Sequence, residues 1–478
     1  MSSIEARRPS AAIATSGPIT GGKGQANPAV PSLPPNYVEH EYFFGGTATS
    51  FRHVGEVTAD GCWAVEPAAT APYLTRLIVR RPSVAEEFSG VVVLEWLNVT
   101  AGADGSPEWG YANEEITREG HVWVGVSAQK VGVAGGTAAI GEAAALTGAS
   151  PGGLVAADPE RYGTLIHPGD AFCFDIFSQA AEALKASEGP PLLGGLQPLH
   201  LIAIGESQSA TFLATYFNAV HPLAQVFDGF LLHSRVGSSP SVGGEPLALD
   251  GPPVTLRTDL EVPVLQFVTE TDLTVLRFEG ARQPDHDLLR TWEVAGTAHA
   301  DKYLICQMMG GLDFEPADFL GSPLPVNDGP HHQTFKAALH HLVDWVVTGT
   351  PPPGGPRIES LPPSEIGGAA TIARDELGIA LGGIRTPPVD VPVVALSGDP
   401  APGASLLSAL FGTTQLFDEA TLARLYPTNE AYLEAYSRSI VTTVKAGFIL
   451  PIEADAMLAL AATFLRAVGM SAMSLPST

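Results

Sequence analysis

Five short, almost uninterrupted apolar runs constrain this chain more than any other feature: "GVVVLEWLNV" (Gly90–Val99), "HVWVGVSAQ", "LHLIAIG", "FDGFLLHS" and "VPVLQFVT". A strand with one wet face alternates apolar and polar residues, so a strand that is apolar throughout must be covered on both faces. Between these runs lie stretches with helical spacing, "PEWGYANEEITREG", "GDAFCFDIFSQAAEALKAS" and "SQSATFLATYFNAV". After a further strand, "LRTWEVAG", comes "HHQTFKAALHHLVDWVVTG", where Phe335, Ala338, Leu339, Leu342 and Val346 share one helical face. Gly349 supplies the stop, and the following "TPPP" prevents continuation. Covered strands alternating with helices predict an α/β protein, a mostly parallel sheet with helices on both faces.

The 478 residues exceed one ordinary core. Residues 1–36 are rich in Gly, Pro, Ser and Ala and are expected to form an extended arm. The core is expected over residues 37–350. Two long connections, about 130–165 and 235–260, interrupt its rhythm, as lids or pocket walls do. Residues 351–478 read as a C-terminal extension packing on the core, ending in two helical stretches, "YLEAYSRSIVTTVKAG" and "EADAMLALAATFLRAVG". A formal charge of −26 argues against nucleic acid and anionic membranes as partners. Cys62, Cys173 and Cys306 are too few and too scattered for a disulfide framework or a zinc ribbon. The N-terminal residues lack a signal peptide's apolar segment, and no apolar run reaches the roughly 18 residues that span a bilayer. A cytoplasmic protein acting on a small molecule is the expectation.

One strand ends in chemistry. In "LIAIGESQSATFLATYF", Ser207 follows the apolar strand "LHLIAI" and precedes a helix whose Ala210, Leu213, Ala214, Phe217 and Val220 share a face. A serine at such a strand–turn–helix junction projects its hydroxyl, with unpaired helix amides pointing at the same spot. With 51 glycines the text pattern alone says little. Ser150 in "GASPG" and Ser239 in "GSSPS" match the same spacing, but proline follows each and no such strand precedes it. A loop serine that merely caps a helix is the plain alternative for Ser207.

A serine hydroxyl needs a base, and the base needs an orienting acid. "VPVLQFVTETD" ends in Glu270 and Asp272, and "LRTWEVAGTAHAD" carries His299, each just beyond a strand's carboxyl end. Asp272 is preferred as the acid because it lies farther into the loop. The amide of Gln208, opening the helix, is one expected oxyanion donor, and that of Asn98 or Val99, after the strand "VVVLEWLNV", the other. Glu206, Gln129, Glu270 and His331 are candidate pocket residues. For Gln129 and Glu95, polar ends of apolar strands, a satisfied structural role is an equal reading. "NDGPHH" is thin as a metal site, so neither a metal nor an organic cofactor is expected.

These residues carry a resemblance. "EWLNVTAG", "HVWVGVSAQKVGV", "IGESQSA", "WEVAGTAHAD", "NDGPHH", "WVVTGTPPP", "GIALGGIRTPPVDVPVV" and "LFDEATLARLYPT" make the chain resemble the α/β-hydrolase superfamily. More narrowly, it is similar to bacterial alpha/beta hydrolase domain-containing proteins with a C-terminal extension. The resemblance spans roughly residues 37 to 470. It implies an eight-stranded, mostly parallel sheet and a Ser-acid-His triad falling on Ser207, Asp272 and His299. Ser209 departs from the glycine usual in the superfamily but is small enough for the turn. The expectation is a serine hydrolase cleaving carboxylic esters through an acyl-enzyme. An acyltransferase or lyase with the same triad, or a binding protein that retains the fold, are the alternatives.

Overall fold

The alternation builds one large sheet. The computed structural model describes residues 13–24, 33–147, 152–186, 191–245, 248–361 and 368–467. The strands are β1 (Ala14–Ser16), β2 (Tyr37–Val54), β3 (Ala64–Pro82), β4 (Val91–Trp96), β5 (Val122–Val126), β6 (His200–Glu206), β7 (Gly229–His233), β8 (Val264–Thr269) and β9 (Leu289–Val294). Their spatial order is β1-β2-β3-β5-β4-β6-β7-β8-β9. From β5 to β9 every neighbouring pair is parallel. An antiparallel flank of β1, β2 and β3 joins at β5. β2 to β9 are the eight expected strands. The ninth, β1, comes from the arm: Ala14, Thr15 and Ser16 pair with Gly45, Phe44 and Phe43 of β2.

The helices around the sheet include α1 (Pro107–Arg118), α2 (Cys173–Lys185), α3 (Gln208–Thr215), α4 (Glu270–Thr274), α5 (Lys302–Met308), α6 (His331–Thr348), α7 (Asn429–Lys445) and α8 (Ala454–Ala467). The unbroken apolar runs are explained by where their two faces go. In β4, Val92, Leu94 and Trp96 join the cluster of Phe174 and Phe177 from α2 and Phe212 from α3. Val91 and Val93 join the opposite cluster, with Trp109 and Ile116 of α1 and Phe335 and Leu339 of α6. β6 divides likewise, Leu201 and Ala203 one way, Ile202 and Ile204 the other. Each such side chain contributes roughly 1.5–3 kcal/mol when fully buried, so the face left polar in a one-sided sheet is here a second core.

Glu95 shows how a polar residue survives in such a strand. Its carboxylate accepts from the first amides of α1, Glu108 N (3.1 Å) and Trp109 N (3.0 Å), and from Trp123 Nε1 (2.8 Å). An acid at a helix N-terminus meets unpaired donors and a positive partial charge, which settles Glu95 as structural.

The residues after 350 form a further core, in which Val393, Leu396, Leu422, Tyr432, Tyr436, Ile440 and Met457 cluster around α7 and α8. Ile384 also extends the sheet past β9: its amide donates to Glu293 O (2.7 Å) and its carbonyl accepts from Ala295 N (3.0 Å). That covers an otherwise open edge. Among the described residues, no helix is long and apolar enough to cross a membrane.

Candidate active site

Ser207 sits between the last residue of β6 and the first of α3, at φ 60° and ψ −119°. Such a backbone costs a non-glycine residue about 1–3 kcal/mol and persists only where neighbours enforce it. Here the Ser207 amide donates to the carbonyl of His233 at the end of β7 (2.9 Å). Its own carbonyl accepts from Thr211 N (3.0 Å) and Thr211 Oγ1 (2.9 Å). The small neighbours are required: a Cβ on Gly205 would lie 3.0 Å from both Ser209 Cβ and Leu213 Cδ1. Ser239 lies in an irregular segment away from the cavity described below, and Ser150 lies outside the described residues.

His299 and Asp272 converge on this hydroxyl. His299 Nε2 is 2.8 Å from Ser207 Oγ, and His299 Nδ1 is 2.7 Å from Asp272 Oδ1. Asp272 is locked by the start of α4. Its Oδ2 accepts from Thr269 N (2.7 Å), while Thr269 Oγ1 accepts from Asp272 N (3.4 Å), a reciprocal cap. Burial alone would raise the Asp272 carboxyl, but the His299 bond and the Thr269 amide hold it below the ordinary range. Burial alone would lower His299; Glu206 and Asp272 outweigh that and raise it.

Glu270, two residues earlier on the same helix, faces elsewhere, as residues two apart must. It does not line the pocket. Its carboxylate accepts from Gly296 N (2.6 Å), Gly398 N (3.0 Å) and Arg374 Nη2 (2.7 Å), and so ties the C-terminal extension to the end of the sheet.

Glu206 does face the site. One oxygen is 3.1 Å from His299 Nε2, and the other accepts from Asn98 Nδ2 (3.3 Å). Burial pushes its carboxyl up to about 8; nearby His299 pulls against the rise, while the Asp272 carboxylate adds to it. The expected amide of Asn98 is not free, because it donates to Gly105 O (2.9 Å). Thr100 N is bound by Asn98 Oδ1 (2.8 Å). Between them, the Val99 amide has no partner among the described residues. The Gln208 amide opens α3 and therefore has no acceptor within the helix.

Gln129 does not line the pocket either: its Oε1 accepts from Trp96 Nε1 (3.1 Å) and its Nε2 faces Asp170 (3.4 Å). His331 is likewise withdrawn, fully buried in a chain that the sequence reading missed. Glu108 Oε2 lies 3.0 Å from His233 Nδ1, His233 Nε2 lies 2.7 Å from His331 Nε2, and His331 Nδ1 lies 3.1 Å from Ala298 O. The carbonyl can only accept, so His331 Nδ1 carries the proton and its Nε2 accepts from His233. His233 Nδ1 must then accept in turn, and Glu108 must donate as a neutral acid. Both rings are held neutral by burial, and burial raises Glu108 well above the usual carboxylate range. The chain joins the residue whose carbonyl holds Ser207 to the residue preceding His299. The other members of "NDGPHH" scatter: Asp328 approaches Lys302 (3.7 Å), and His332 stacks on Tyr303 (3.7 Å between centroids). The legible signal for His233 was its place at the polar end of "FDGFLLH", the same signal that marked Glu95.

Ser207, Glu206 and His299 open into a cavity of about 450 Å3. Its walls come from the first insert (Ile140, Leu154), from α5 (Leu304, Ile305, Met308) and from the C-terminal extension (Leu407, Leu410, Phe411).

The chain is similar to solved structures and to one family model. Among solved structures the chain is similar to one of two fungal esterases from Rhizomucor miehei, at 15% identity and TM-score 0.34, over 67% of this chain and 86% of that one. It is also similar to a protein called "Putative Dienelactone Hydrolase" from Klebsiella pneumoniae subsp. pneumoniae MGH 78578, at 12% identity and TM-score 0.27, over 54% and 85%. No curated protein matches the sequence. A family model, Alpha/beta hydrolase domain, matches residues 15–459, and the chain belongs to that family of hydrolases.

Proposed function

We propose that this hydrolase cleaves carboxylic esters through an acyl-enzyme, with Ser207 as nucleophile, His299 as base and Asp272 as orienting acid. Ser207 Oγ attacks the ester carbonyl while His299 Nε2 takes its proton; the C–O bond to the alcohol then breaks and His299 protonates the leaving oxygen. Water, deprotonated by the same ring, releases the acid and restores the serine. The amides of Gln208 and Val99 have no acceptor among the described residues, and in this reading they bind the oxyanion. The observation that carries the proposal is the unbroken Ser207–His299–Asp272 line, at 2.8 and 2.7 Å, on a strained turn. Ser207→Ala should lower ester turnover by on the order of 10³-fold or more and abolish labelling by a fluorophosphonate probe. Near wild-type turnover in that variant would overturn the assignment.

A further inference from the structure

Resting on that reading, we infer that the substrates are uncharged esters of medium size, and that the C-terminal extension sets their upper limit. Three features of the cavity carry the inference. Its walls are predominantly aliphatic and aromatic, and they include Leu304, Ile305 and Phe411 beside Ser207 and His299. Its ionisable groups offer an anion nothing. Among the described lining residues outside the Ser207–His299 pair, the ionisable side chains are Glu206, Asp104 and Arg76. The Arg76 guanidinium is already engaged by Glu41 (3.1 Å), Asp104 (2.6 Å) and Ser127 Oγ (3.1 Å) and is itself fully buried. A substrate carboxylate would therefore lose water, gain no free cation and meet the Asp104 carboxylate beside Arg76, inside a chain of formal charge −26.

The volume bounds the size. At roughly 30 Å3 per water-sized group, about 450 Å3 holds roughly 15 non-hydrogen atoms. Counted for the acyl group alone, octanoyl with about 9 such atoms fits, whereas palmitoyl with about 17 does not. Leu407, Leu410 and Phe411 join the same apolar cluster as the β-sheet core. That wall is therefore packed in place.

The test is a kcat/KM profile over p-nitrophenyl esters from acetate to palmitate, paired with a charge comparison. The butyrate ester and the hydrogen-succinate ester of one alcohol are similar in length and differ by a carboxylate. The neutral ester should be preferred by on the order of 10²-fold. Turnover should peak at intermediate chains and fall before palmitate. Leu410→Trp, which narrows the cavity, should lower the octanoate-to-acetate ratio by about tenfold. A hydrogen-succinate ester turned over as fast as butyrate, or rates climbing through palmitate, would overturn the inference. So would an unchanged ratio in a folded Leu410→Trp protein. Those failures are distinct from failure of the esterase reading, which would show as no Ser207-dependent turnover of any ester. The wild-type profile stands whether or not the tryptophan variant folds.

Discussion

The neutral form of Glu108 is a deduction from hydrogen-bond direction, and it has a measurable consequence. Replacing Glu108 by Gln keeps the shape, and the amide can donate to His233 Nδ1 as the protonated acid does. The difference lies in linkage. In the folded chain Glu108 is held protonated by burial, with its proton affinity well above the ordinary 4.5, whereas in the unfolded chain it ionises near that value. A group whose folded pKa is raised contributes its full stability below the unfolded value. That contribution is lost as pH climbs towards the folded value, at about 1.4 kcal/mol per pH unit for one proton. Glu108→Gln removes this loss. Above pH ~4.5 the variant should therefore gain on wild type with that slope, and urea unfolding at several pH values between 5 and 8 would measure it. Glu95, Glu206, Asp272, His233, His299 and His331 face the same region and are present in both proteins; Glu95 and Glu206 would feel a charged Glu108, but a neutral acid and the glutamine leave them in the same field, so their titration cancels in the difference. A difference that stays flat from pH 5 to 8 would refute the neutral acid and the proton order through His233 and His331. The far end of the chain provides a second measurement. His331→Phe keeps the stack on Tyr111 (4.3 Å) but leaves the His233 Nε2 proton and the Ala298 carbonyl unpaired. At about 1–3 kcal/mol for each buried orphan, it should destabilise by roughly 2–6 kcal/mol.

Three further outcomes test the site. Glu206→Gln should remove an inflection of kcat/KM near pH 8, where Glu206 ionises 3.1 Å from His299 Nε2; an unchanged profile through that pH would exclude the coupling. Asp272→Asn should lower kcat by on the order of 10⁴-fold while the fold survives, read by activity and by thermal unfolding together. Glu270→Ala should do the reverse, destabilising by roughly 2–6 kcal/mol because the Gly296 and Gly398 amides lose their acceptor while Arg374 keeps Asp399, and Ser207 in the remaining folded protein still reacts with a fluorophosphonate.

Some features of this protein are local enough to be written in order along the chain. Strands with no polar face demand cover on both sides, so "VVVLEW" and "LIAI" announced a helix-covered sheet without any knowledge of partners. The strand, small residue, serine and helix around Ser207 are one continuous segment, although its strained turn is held in part by the His233 carbonyl of β7. The order of Ser207, Asp272 and His299 was also legible, because parallel strands deliver their carboxyl ends to one edge of the sheet. What tertiary structure alone decided is where polar side chains at those same edges turn. Glu95, Gln129, Glu270 and His331 look alike in sequence, each beside an apolar run. Their partners lie far along the chain: Glu270 meets Arg374 and Gly398, and His331 meets His233. The same holds for Asn98, whose amide is taken by Gly105 in a turn that apolar periodicity does not encode. Hydrophobic burial repeats with the backbone's period and leaves a trace in one dimension. A buried hydrogen bond is a pairing of two particular atoms, and its geometry exists only once distant segments have met.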